Sequence, residues 1–109
     1  MIVSEKNVSD ALTYLADDPH PIARARHALT NRTNDAKRIF AEAFLSAEGS
    51  VDARKAIAET TPDYQAAKSL EAESELELER HRARIKAAEM LLEIWRTENA
   101  NMRAAERIR

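Results

Sequence analysis

An all-α fold, arranged as an antiparallel helical hairpin of coiled-coil character, follows from three observations. The 109 residues carry one glycine and three prolines, and these fall only at Pro19, Pro21, Gly49 and Pro62, so the chain is cut into a few long unbroken stretches. With 44% hydrophobic, 33% charged and only 5% aromatic residues, it suits alanine-rich helices better than a rounded aromatic core. From Pro62 to the end there is no breaker, and Ala, Glu, Leu, Lys and Arg, the best helix formers, predominate. Read as one helix, that stretch is about 48 residues and roughly 70 Å long at 1.5 Å per residue. A rod of such length needs partners along it.

The first element is a short amphipathic helix within residues 1–18, capped by Ser9 or Ser4, with Val8, Leu12 and Leu15 on one face. Asp17-Asp18-Pro19-His20-Pro21 ends it, because two prolines so close exclude helix and set an extended elbow. Pro21 then opens a second helix over 21–48, in which Ile22, Ala25, Leu29, Ala36, Ile39/Phe40, Ala43/Phe44 and Ala47 keep helical spacing. Thr30-Asn31-Arg32-Thr33-Asn34 are poor helix formers. The spacing reads through them as helix; a break with Asn34 capping a new start is the alternative.

Glu48-Gly49-Ser50 punctuates the chain: Gly49 suits a helix end and Ser50 a new cap. Val51, Ala53, Ala56 and Ile57 place a short apex helix over 50–60, and Thr61-Pro62-Asp63 supply a hydroxyl cap, a first-turn proline and a first-turn acid for the long helix 62–109. Loops this short pack the second and long helices antiparallel, with the small helix at the apex and the N-terminal helix at the open end. The apex is expected to close with Tyr64 against Phe44 or Ile57, and Phe40 and Phe44 are assigned to the core.

Along the long helix Tyr64, Ala67, Leu78, Ile85, Ala88, Leu92, Trp95 and Met102 trace a near-heptad seam. Met90, Leu91 and Ile94 widen it, which calls for more than one partner helix. Alternating charge from Glu71 to Lys86 mimics a strand, but no β-branched residue occurs between Glu71 and Arg84, and Glu77/Arg80 and Glu79/Arg82 stand at i,i+3. Helix is the better reading. Much of the apolar content is alanine, which buries little area per residue, so a single 109-residue domain is expected to self-associate. Ile85, Leu91, Leu92, Ile94, Trp95 and Met102 are the expected oligomer interface, and Asn99 and Asn101 look like register-setting polar groups or partner contacts.

Function is less sharply written. No cysteine excludes a disulfide framework, a thiolate nucleophile and a Cys-based zinc site. His20, His27 and His81 are not at metal-ligand spacing, although Asp17, Asp18 and His20 can approach one cation; as acids beside proline they read more readily as turn and cap residues. No glycine-rich phosphate loop or strained nucleophile turn exists, and each glutamate falls where a solvated helix face would place it, so neither enzyme chemistry nor a cofactor or metal is expected. The chain shows no membrane-length apolar run, and Met1-Ile2-Val3-Ser4-Glu5 lacks a signal-peptide apolar region, so the cytoplasm is expected.

The net charge of −2 hides an uneven distribution. Five glutamates and no base lie between Glu71 and Glu79. Residues 80–109 are basic, and so are residues 20–38. In the hairpin, Arg24, Arg26, Lys37 and Arg38 come to lie beside Arg80, Arg82, Arg84 and Lys86, a concentration that invites an anionic partner. The competing reading is a solvated face neutralised by glutamates of neighbouring copies. Arg54 and Lys55 on the apex helix serve either as a phosphate contact or as caps for the preceding helix's carbonyls. Trp95 can stack on a base, but its seam position fits a core or oligomer contact better.

Ala47-Glu48-Gly49-Ser50-Val51 with Arg54 and Ala56, then Tyr64, a charged helix, and Ile94-Trp95-Arg96-Thr97 with Arg103 resemble small phage-encoded helical proteins related to the UvsY-type recombination mediators. The resemblance covers about residues 36–104. It implies an oligomer that binds single-stranded DNA and helps load a recombinase onto strands covered by single-strand-binding protein. Carried over by position, Arg54, Lys55 and Arg96 match its basic places, Arg103 belongs to the matched stretch, and the N-terminal part has no counterpart. The expected mechanism is electrostatic holding of the DNA backbone with avidity from oligomerisation. The alternative is a structural coiled-coil assembly or adaptor protein with no nucleic-acid contact.

Overall fold

The computed structural model describes residues 3–108, and they form four α-helices with no strand among the described residues. These are α1 (Glu5–Ala16), α2 (Pro21–Ser46), α3 (Val51–Thr60) and α4 (Pro62–Ile108). Met1, Ile2 and Arg109, ends of the predicted first and last elements, lie outside the described residues. The chain divides into two compact units, one made of Met1–Pro21 with Arg80–Arg109, the other of Ile22–Glu79.

In the Ile22–Glu79 unit, α2 runs antiparallel to the first part of α4, with Phe40 beside Tyr64 and Thr33 beside Glu71. The stretch Thr30–Asn34 is continuous helix. Weak propensity there is overridden because Ala25 and Ala36, on the face turned to α4, are buried at 7% and 3% exposure. Helix α2 stops at Ser46, two residues short of the sequence boundary. The chain then turns through Gly49 at φ +114°, a backbone conformation that glycine adopts without strain. Ser50 caps α3, its Oγ accepting from the Ala53 N–H at 3.2 Å.

Two expectations are corrected here. The Thr61 hydroxyl does not cap α4; it donates to the Ala58 carbonyl at 2.7 Å and closes the end of α3, while Pro62 and Asp63 still open α4. Tyr64 meets the Phe40 ring (ring centroids 5.3 Å, edge to face) where Phe44 was one expected partner, and Ile57, the other, is 46% exposed. Phe40 and Phe44 stack on each other at 6.3 Å and are half-buried.

In the unit built from both termini, α1 lies antiparallel on the later part of α4. Ser4 is the cap, its Oγ accepting from the Asn7 N–H at 3.1 Å. The buried face is Val8, Ala11 and Tyr14, whereas Leu12, expected inside, is 52% exposed. The reason is Tyr14: its hydroxyl bonds His81 Nδ1 at 2.9 Å, the Arg84 guanidinium lies 3.9 Å from its ring centre, and His20 meets it edge-on at 4.7 Å. Those contacts turn α1 so that the 8–11–14 row faces α4.

Burial along α4 follows a heptad: Tyr64, Ala67, Glu71, Ser74 and Leu78 in one unit, then His81, Ile85, Ala88, Leu92, Trp95 and Asn99 in the other, are its least exposed residues apart from the half-buried Leu91 and Glu98. Met102, assigned to the seam, is 50% exposed. No helix among the described residues is long and apolar enough to cross a membrane.

Candidate nucleic-acid interface

Helix α2 contains five bases, Arg24, Arg26, Arg32, Lys37 and Arg38, and only two acids, Asp35 and Glu42. Both acids pair with the same arginine: Arg38 lies 4.0 Å from Asp35 and 3.0 Å from Glu42. Within the helix, then, the charges of Arg24, Arg26, Arg32 and Lys37 are not offset, and all four are exposed or nearly so. Helical rotation divides them. Arg32 turns toward the side of α4 that carries Glu73 and Glu77, whereas Lys37 lies on the opposite edge, beside Lys68.

On that opposite edge all three helices of the unit meet around an open cleft of about 410 Å³. Helix α2 supplies Thr33, Ala36, Lys37 and Phe40; α3 supplies Lys55 and Glu59; α4 supplies Tyr64, Lys68 and Glu71. The floor is unusual. Glu71 occupies a seam position of α4 and is only 9% exposed. Its carboxylate accepts from Lys68 Nζ at 2.5 Å, is hydrogen-bonded by Thr33, and feels the nearby charge of Lys37. These partners, Lys68 first, hold the Glu71 carboxyl below the ordinary carboxylate range against the opposing effect of burial, and the same pairing raises Lys68 above the usual lysine value. The expectation that every glutamate would lie on a solvated face fails at this residue, since Thr33 and Lys68 satisfy the carboxylate inside.

Other predicted contact residues are engaged within the chain. Arg54 donates from Nε to the Phe44 carbonyl at 3.2 Å and lies 4.4 Å from that ring's centre, so it caps the end of α2, one of the two roles its position offered. Arg84 covers Tyr14, Arg96 pairs with Glu93 at 3.4 Å, and Arg103 donates to the Asn99 carbonyl at 3.4 Å. Arg80 and Arg82 are exposed and have partners within the chain. The basic segments 24–38 and 80–109 fall in different compact units.

Of the residues expected at an oligomer interface, Ile94 and Met102 are 44% and 50% exposed, and Ile85, Leu91, Leu92 and Trp95 are half-buried; Met90 beside them is 61% exposed. Among the described residues no group of three or more histidines, cysteines and carboxylates is arranged to hold a metal.

Sequence reading missed Lys68, Glu71, Thr33 and the ring of Tyr64 as parts of one site. A signal existed for Glu71: continuing the seam from Ala67 by four and three residues lands on Glu71 and Ser74 before Leu78. Nothing local pointed to Lys55 and Lys37 sharing a cleft, because that depends on how α3 turns back over α2. No protein-family profile, curated protein or solved structure matches this chain.

Proposed function

We propose that this protein is a non-enzymatic, cytoplasmic, self-associating accessory protein that binds single-stranded DNA and acts in the manner of a recombination mediator, with a recombinase or single-strand-binding protein as its partner. The observation that carries the proposal is the charge arithmetic of α2. Both of its acids are spent on Arg38, leaving Arg24, Arg26 and Lys37 to present positive charge, with Lys55 added at the Lys37 edge. A helix surface of this kind holds phosphates without reading sequence, and self-association through α4 multiplies weak contacts into useful affinity. Anisotropy of a labelled oligonucleotide is the test. Binding should appear at low salt, show little sequence preference, and weaken steeply as salt rises. Absence of any anisotropy change at low salt removes the proposal.

One observation favours a second reading, a structural coiled-coil assembly or adaptor protein. Met90, Ile94 and Met102 leave apolar surface on α4 uncovered, while Arg38, Arg54, Arg84 and Arg96 are satisfied inside the chain. Sizing chromatography at two salt concentrations separates the interfaces involved. An apolar α4 contact persists at high salt, and one made by pairing basic segments with the Glu71–Glu79 stretch of a neighbouring copy dissociates.

A further inference from the structure

We propose that the cleft between α2, α3 and α4 is a single-nucleotide subsite, with a phosphate held among Lys37, Lys55 and Lys68 and the attached base laid against Tyr64. This rests on the strand-binding reading and adds to it a definite place and a contribution that salt does not screen. Three features of the cleft carry it. Its volume, about 410 Å³, lies within the roughly 300–1,000 Å³ of small-molecule sites. Its three lysines come from three separate helices, so their sharing of one cleft is a product of the fold and not of a local run of charge. The third feature is the aromatic wall. Tyr64 is half-buried and held edge to face by Phe40 at 5.3 Å, which fixes its ring as part of the cleft lining.

The charge balance selects the ligand. Three lysines face two carboxylates, Glu59 and Glu71, and Glu71 is already occupied by Lys68 and Thr33. The cleft therefore disfavours a cation and retains positive charge for an anion. Lysine ammoniums suit a phosphate as compact point charges, and Glu71 orients Lys68 without neutralising Lys37 or Lys55. An anion carrying a planar ring uses both the lysines and Tyr64, whereas a bare anion uses only the lysines. A nucleotide fits that description, either as one link of a strand or as a free mononucleotide.

The test uses the full chain and three probes: a labelled oligo-dT, an abasic phosphodiester oligomer of equal length, and dTMP as competitor. The variants are Lys37→Gln with Lys55→Gln, both at exposed positions, and Tyr64→Leu, each checked by circular dichroism for native helix content. The double lysine variant should weaken oligo-dT about tenfold and lower the slope of log affinity against log salt by roughly one to two units. Tyr64→Leu should weaken oligo-dT about tenfold and leave the abasic oligomer unchanged. Wild-type affinity in the double lysine variant overturns the subsite. If Arg24→Gln with Arg26→Gln weakens binding in that case, the strand reading stands and only the cleft assignment falls. Competition by dTMP at a Kd equal to that of oligo-dT, lost in the double lysine variant, keeps the cleft but overturns the strand as its source. Wild-type protein that binds none of the probes removes both.

Discussion

Glu71 is the residue at which local pattern and three-dimensional setting disagree most. A carboxylate in a heptad seam costs stability unless its lone pairs are met, and here Lys68 and Thr33 meet them. Because its carboxyl is held below the ordinary glutamate value, the stability it contributes is fully present above that ordinary value and is lost as pH falls through the lower folded one. Lys68 runs the other way: raised above 10.5, it contributes fully below that pH and loses its share as pH rises through the folded value. Thermal melts of the wild type between pH 6 and pH 3 should therefore show an acid-side decline that is shallower in Glu71→Gln; equal slopes for the two proteins would remove this account. Tyr14 offers a second check. Tyr14→Phe keeps the ring beneath Arg84 but deletes the bond to His81, which should cost about 1 kcal/mol. In a domain of this size that lowers Tm by roughly 4–8 °C.

Among the elements, helix ends were the most legible features and helix faces the least. Gly49 and Ser50 announce the α2–α3 turn because few residues tolerate their roles, and both perform them. Gly49→Ala should cost about 1–2 kcal/mol through backbone strain at φ +114°. A clash is not the cause, since the added Cβ would meet Ala53 at an ordinary 3.4 Å. Ser50→Ala, in contrast, removes one cap acceptor and should cost about 1 kcal/mol; chemical denaturation of the two variants measures both losses. Thr61 fits the cap of the helix that follows by position, yet its hydroxyl finishes the helix before it. A hydroxyl between two abutting helices can serve either, and position in the chain does not decide which. The buried face of α1 is not legible for a related reason: Leu12 and Tyr14 both fit an amphipathic pattern, and only the partners His81 and Arg84 favour Tyr14.

At the scale of the whole molecule, what remains uncovered on α4 is as informative as what is packed. Met90 and Ile94 are 61% and 44% exposed, so Met90→Glu with Ile94→Glu should leave the helix content of a single chain nearly unchanged. If copies associate through this face, the pair of substitutions shifts sedimentation toward the monomer; an unchanged profile would place the contact elsewhere. The all-α class, the four helices and their breaks were determined by the sequence alone, because proline, glycine, caps and 3.6-residue periodicity act within a few residues of one another. The cleft lined by Lys37, Lys55 and Lys68, and the partners that let Glu71 lie inside, were decided only by tertiary packing. Charge acts through space: Lys37, Lys55 and Lys68 lie 13 to 31 positions apart and Thr33 lies 38 from Glu71, and they become neighbours only when three helices fold onto one another.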